Sequence, residues 1–306
     1  MNKKTANILA IILISVVVLS FLTSVIFKIH ANRLSTIAPE TIFQSSNRIG
    51  VVEIKGVIAE PQPVIRELDN FYKDNSIRAI IVRIDSPGGG VAAAQEIYDT
   101  LVRIRKKKVV VASIGTVGAS GGYYVACGAD KIVAEPGSIT GSIGVIMDFF
   151  DVADLLKWAK IKNEVIKSGK FKDIGSPFRP MKPDEKAYLQ SVIDDVLLQF
   201  KTVVSENRHL SMNEVNKIAD GRIFAGDQAL KLGLIDKLGG LHTAKELAAK
   251  LSGIKGEAKL VYPTPERKDL ISILTESIAN SVANVLKEKL FEDNIFKFNY
   301  MLSMPR

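Results

Sequence analysis

Residues 79–126 read AIIVRIDSPGGGVAAAQEIYDTLVRIRKKKVVVASIGTVGASGGYYVA, and two units of one kind follow each other in them. A run rich in β-branched residues, Ala79 to Ile84, stops at the glycine loop 86–90, after which Val91 to Arg105 spaces its apolar residues as a helix does. A second run, Val109 to Ile114, leads to the small-residue turn Gly118-Ala119-Ser120-Gly121-Gly122 and to a helix over Ser120 to Ala126. Neither strand alternates apolar with polar residues. Both faces are therefore expected to be buried, as in an α/β domain whose strands run largely parallel between layers of helices.

The same alternation extends outward. Ile49 to Ile58, Lys131 to Ala134, Val145 to Phe149 and Glu164 to Ile166 read as further strands, and Val152 to Lys160 and Pro183 to Glu206 as helices. No repeat of fixed period is present. Beyond about Gly256 the pattern weakens, with Pro263 and Pro265 as breakers, and Leu270 to Leu290 then reads as an amphipathic helix bearing Ile271, Leu274, Ile278, Val282, Val285 and Leu290. At the other end, Ile8 to Phe27 is uncharged and interrupted only by Ser15, Ser20, Thr23 and Ser24. Its length suits a hydrocarbon core of ~30 Å. Lys3 and Lys4 favour a cytoplasmic N-terminus, against Lys28 and Arg33 on the far flank. No good small-x-small cleavage site closes the run and no cysteine follows it, so an uncleaved anchor is expected. The division expected is a cytoplasmic start over 1–7, a transmembrane anchor over 8–27, a linker over 28–47, a catalytic domain over 48–255 and a tail over 256–306.

Composition narrows the chemistry. The chain has 306 residues, of which 47% are hydrophobic, enough for a sizeable core. One cysteine, Cys127, excludes an internal disulfide, and His30, His209 and His242 have no metal-ligand spacing, so no metal is expected. The net charge of +8 is dispersed except at Arg103, Arg105, Lys106, Lys107 and Lys108, which suit the negative end of a helix. No nucleic-acid partner is expected, and attraction to anionic lipid accounts for the surplus.

Gly118 to Gly122 fits the G-x-S-x-G pattern, in which small residues let a serine occupy a sharp strand-to-helix turn and aim the next N–H at a developing oxyanion. Ser86-Pro87-Gly88-Gly89-Gly90 can present bare N–H groups to an anion; lacking G-K-[ST], it suits an oxyanion hole shared with Gly121 better than a phosphate cradle. None of the three histidines stands in a strand-end loop beside an acid, which leaves lysine as base. The loop Ser168-Gly169-Lys170-Phe171-Lys172-Asp173 offers two beside an apolar ring. A lysine must be neutral to accept a proton, and burial lowers its pKa from ~10.4.

Together the D-S-P-G-G-G loop, the G-A-S-G-G-Y-Y turn, the T-G-S-I-G-V segment from Thr140 to Val145, the S-G-K-F-K-D loop and the G-R-I-F-A-G to G-L-I-D stretch from Gly221 to Asp236 resemble the signal peptide peptidase A family in its short form, over about Ile49 to Leu251. The resemblance implies a ClpP/crotonase-like fold, a superhelix of repeated β-β-α units, and cleavage of hydrophobic signal-peptide remnants without a cofactor. It places the nucleophile on Ser120, the general base on Lys172 and the serine that holds this lysine on Ser142, with the N–H groups of Gly121 and Gly88 as oxyanion donors. It further implies a homo-oligomeric ring in which Ser120 of one protomer meets Lys172 of a neighbour, anchored in a bacterial inner membrane with the catalytic domain outside the cytoplasm. The competing readings are an esterase using Asp220 and His242, an acyl-CoA enzyme of related fold, and a non-catalytic membrane scaffold. Cys127 reads as a small buried residue, Tyr123 and Tyr124 as packing and hydrogen-bonding locally, Trp158 as a lone aromatic on an amphipathic helix, Asp85 as a strand end and Asp173 as an organiser of its loop.

Overall fold

The computed structural model describes residues 47–263. The expected membrane span 8–27 and the helix Leu270 to Leu290 lie outside the described residues.

Three long strands form the frame: β1 (Arg48–Lys55), β2 (Ile77–Ser86) and β3 (Val109–Ala119), parallel and adjacent in that order. Their β-branched runs bury both faces, as the lack of alternation requires. Val52, Ile54, Ile80, Val82 and Ile84 face one core, and Ile49, Val51, Ala79, Ile81 and Val111 face the other. The first core is covered by α1 (Gln62–Lys73), α2 (Val91–Ile104), α3 (Gly121–Ala126) and α5 (Pro183–Arg208), whose Leu68, Ile97, Val125 and Val204 are fully buried. The second is covered by α8 (Leu241–Leu251), which presents the small side chains of Ala244 and Ala248.

β3 is long enough for two partners on one side. Residues 111–114 pair with β4 (Lys131–Ala134), and residues 117–119 pair with β5 (Ile139–Gly141). Between them the strand bulges at Gly115, where a Cβ would lie 2.9 Å from the Asp85 carboxylate, and Asp85 accepts a hydrogen bond from Val117 N–H at 3.1 Å. β6 (Ile223–Ala225) closes that edge as the antiparallel member of the sheet; β7 (Lys237–Leu238) pairs with β4, and β8 (Lys259–Val261) with β1. The sheet thus extends beyond residue 255. The remaining helices, α4 (Ala153–Trp158), α6 (Met212–Ile218) and α7 (Gly226–Lys231), are short.

Two expected strands do not form. Val145 to Phe149 and Glu164 to Ile166 run without regular structure, and Ile146 and Ile166 are 82% and 103% exposed. Their β-branched side chains satisfy the propensity for a strand, yet no neighbouring strand within the described residues offers them a ladder, and an unpaired strand has little stability of its own. Phe149, Phe150 and Trp158 are exposed alongside them.

Candidate active site

Ser120 joins β3 to α3 with φ +51° and ψ −121°, a backbone conformation that a non-glycine residue rarely holds and that costs ~1–3 kcal/mol. Two features retain it there. Ser120 N–H donates to Gly141 C=O at 2.9 Å, extending the β3–β5 ladder one residue past its last register pair, and Thr140 Oγ1 donates to Gly118 C=O at 2.7 Å. β5 therefore pins the turn and the strand that precedes it at two points. Ser142 follows Gly141 and shares the anomaly, with φ +51°; its N–H donates to Arg222 C=O at 2.9 Å. Register thus sets the two strained serines beside each other.

The glycine loop lies against this turn. A Cβ on Gly88, whose φ is +108°, would stand 2.8 Å from Gly121 N and 2.9 Å from Ser120 Cβ, so only glycine permits the approach. The loop is held from behind by Ile58, which donates to Gly88 C=O at 2.9 Å and accepts from Gly90 N–H at 2.8 Å. Gly88 N–H donates to Ser86 Oγ at 3.1 Å, whereas the N–H groups of Gly89 and Gly121 have no acceptor among the described residues. Both border a small open pocket beside Ser120, walled by Ala94, Tyr124, Val145, Val196 and Phe200. An attacking hydroxyl, two free N–H donors and an apolar cleft are what an acyl-transfer site requires.

The sequence matches the same chemistry. Residues 103–255, half of the chain, fit the model of peptidase family S49, and residues 49–138 fit that of Clp protease. A Synechocystis sp. protein named "Putative protease slr0021" is 42% identical over 237 residues, 76% of this chain and 85% of its own. The chain belongs to peptidase family S49. Other relatives are an Enterococcus faecium protein named "Putative signal peptide peptidase SppA", 29% identical over 78% of this chain and 72% of its own, and Protease 4 of Haemophilus influenzae, 32% identical over 67% of this chain and 35% of its own. This S49 peptidase is accordingly a serine protease of the kind to which signal peptide peptidase A belongs, on a Clp-protease-like α/β fold with a mixed sheet.

Within the S49 peptidase, the expected site residues fall into two groups. Ser120, Gly121, Gly88 and Ser142 converge. Lys172 does not join them: it is exposed in a loop without regular structure, its N–H donates to Gly169 C=O at 3.2 Å, and no hydrogen bond connects its side chain to Ser120 or Ser142 among the described residues. Of the oxyanion donors named from the sequence, Gly88 supplies the close approach, and its N–H is engaged by Ser86 Oγ; the loop N–H left without an acceptor among the described residues is that of Gly89, which the sequence reading did not name. Three glycines in succession hide which N–H points outward. The signal available was Ser86, whose hydroxyl two residues back occupies one of them.

The esterase reading loses its partners. Asp220 is ion-paired with Arg222, and His242 is exposed on α8 beside Glu246 at 3.2 Å, on the sheet face opposite the pocket. Cys127 is buried behind the serine turn, where burial pushes its thiol up to about 12. Tyr123 is fully buried and donates to Leu234 C=O at 2.8 Å. Among the described residues no group of three His, Cys, Asp or Glu could hold a metal ion, and no helix is long and apolar enough to cross a membrane.

Proposed function

We propose that this S49 peptidase cleaves hydrophobic peptides, signal-peptide remnants among them, with Ser120 as nucleophile and a neutral Lys172 as general base. The observation that carries the reading is the strained turn at Ser120, seated at the mouth of an apolar pocket beside two unoccupied N–H groups. Lys172 takes the proton of Ser120 Oγ as the oxygen attacks the scissile carbonyl. The oxyanion collects hydrogen bonds from Gly121 and Gly89, each donor worth ~3–4 kcal/mol in such sites. The lysine ammonium returns its proton to the departing amine, and the acyl-serine is then hydrolysed by water that Lys172 deprotonates in turn. Ser142 holds the ammonium in line, and no cofactor enters.

Lys172 reaches Ser120 from a neighbouring protomer of a ring. The exposure of its loop supports this, as do Ile146, Phe150, Trp158 and Ile166, whose apolar surface is left uncovered by the described residues. An anchor at Ile8 to Phe27 places the ring on the outer side of a bacterial inner membrane, where hydrophobic remnants collect.

Mixing Ser120→Ala with Lys172→Ala protein tests the arrangement. Each is expected to be inactive alone, and mixed rings regain activity because some interfaces pair an intact serine with an intact lysine. No recovery after demonstrated subunit exchange places both residues in one chain; full activity of either variant alone removes that residue from the mechanism.

A further inference from the structure

The loop that carries Lys172 has no regular secondary structure, and residues 161–172 are all exposed. A base on such a segment lacks the fixed geometry that proton transfer demands. One side chain nevertheless ties the following residue, Asp173, down at two points and the chain at Pro180 at a third. Arg179 donates from Nε to Asp173 Oδ2 at 2.9 Å, from Nη2 to Asp173 C=O at 3.2 Å and from Nη1 to Pro180 C=O at 3.2 Å. The other side of its guanidinium meets Glu185 in a fork, Nη1 to Oε2 at 2.8 Å and Nη2 to Oε1 at 2.6 Å.

Glu185 lies in the first turn of α5 and is fully buried. Besides the guanidinium, its carboxylate accepts Lys182 N–H at 2.9 Å. A buried carboxylate with both oxygens satisfied is a rigid anchor, and removing its partner leaves a desolvated charge. Asp173 is 14% exposed, and its second oxygen meets Lys167. Lys170 pairs with Asp184, and Phe171 stacks on Tyr188 with ring centres 5.5 Å apart. Lys167, Lys170 and Asp173, the charged residues nearest Lys172 along the loop, are thus engaged, and the peptide that leaves Lys172 is fixed to α5 through Arg179.

We infer that Arg179, anchored by Glu185, is a positioning residue for Lys172: it fixes the Asp173 backbone so that the lysine projects from the loop in one direction, ready for the serine it serves. The inference rests on Lys172 being the base. An arginine is required because its planar fork meets five acceptors at once, on two carboxylates and two carbonyls, whereas an ammonium has three donors.

The test uses the full chain and a fluorogenic hydrophobic peptide, with wild type, Lys172→Ala, Arg179→Ala, Arg179→Lys and Glu185→Gln compared. Misplacing a catalytic group by ~1 Å costs ~10²-fold, so both Arg179 variants are expected to lose on the order of 10- to 100-fold in kcat with KM within about threefold. The pH of half-maximal kcat moves upward, and millimolar guanidinium restores several-fold activity to Arg179→Ala. Arg179→Lys keeps the charge without the fork and decides the matter if Arg179→Ala does not fold. A merely structural role would lower the active fraction and leave the pH profile in place. Wild-type kcat in the Arg179 variants overturns the inference while Lys172→Ala is inactive, and so does a loss with an unmoved profile and no rescue. Wild-type kcat in Lys172→Ala instead overturns the choice of base, and the inference with it.

Discussion

Gly88→Ala adds a single methyl at the tightest point of the site. That carbon would lie 2.8 Å from Gly121 N and 2.9 Å from Ser120 Cβ, where ordinary contact begins near 3.4 Å. Neither neighbour is the free end of a flexible chain, so the glycine loop and the serine turn must separate by roughly 0.6 Å, the shortfall in the closer contact. The move pulls the Gly121 N–H away from the oxyanion and tilts Ser120 Oγ. Displacement on this scale costs ~10²-fold, and ~10³-fold if the donor is lost outright. Alanine at φ +108° adds a backbone penalty of ~1–3 kcal/mol. For a domain of this size that lowers Tm by about 2–10 °C. Steady-state kinetics on a hydrophobic peptide, labelling of Ser120 by a fluorophosphonate and a thermal melt read the three effects separately. A folded variant with kcat within about threefold of wild type would refute the reasoning, because the loop would then not serve the oxyanion.

Tyr123→Phe removes the hydroxyl that satisfies Leu234 C=O and is expected to cost ~1–3 kcal/mol in urea unfolding, with kcat little changed. In the acid range, the Arg179 guanidinium and the Lys182 N–H hold the Glu185 carboxyl at about 2 against an ordinary 4.5. A depressed carboxylate contributes stability above its unfolded pKa, and that contribution disappears as pH falls from about 4.5 towards 2; the urea midpoint of Glu185→Gln should therefore be flatter than that of wild type across this window. Cys127, buried and with its thiol pushed up to about 12, should resist alkylation at neutral pH in the native protein and react once it is unfolded. Rapid alkylation under native conditions would mean that the nucleophile helix opens readily.

The frame of the fold was legible because its strands are long and apolar on both faces: β4 appears over Lys131–Ala134 as read, and β2 and β3 run a few residues past the expected ends. The unread strands are β5 to β8, two to three residues each, too short to display a period. α1 was not read, although Leu68 and Phe71 mark its buried side and Pro61 and Pro63 stand at its opening, where proline is tolerated. The serine turn and the glycine loop could be read because close backbone approach leaves glycine as the one acceptable residue, which marks the sequence. Lys172 has no such mark. Its role depends on what surrounds it, and an exposed loop says nothing of that from within one chain. Arg179 and Glu185 were invisible for a related reason: an arginine and a glutamate six residues apart are unremarkable until the chain turns them towards each other.

The segment that holds Ser120 is itself braced from late in the chain. Gly141 supplies the acceptor for Ser120 N–H, Ser142 in turn leans on Arg222, and Phe224 packs so closely on Gly141 that a Cβ there would stand 2.6 Å from its ring. A ribosome that has made the nucleophile turn must add about a hundred further residues before β6 exists to brace it. The nascent protease therefore passes through about a third of its synthesis with the serine present but the turn without its brace from β6.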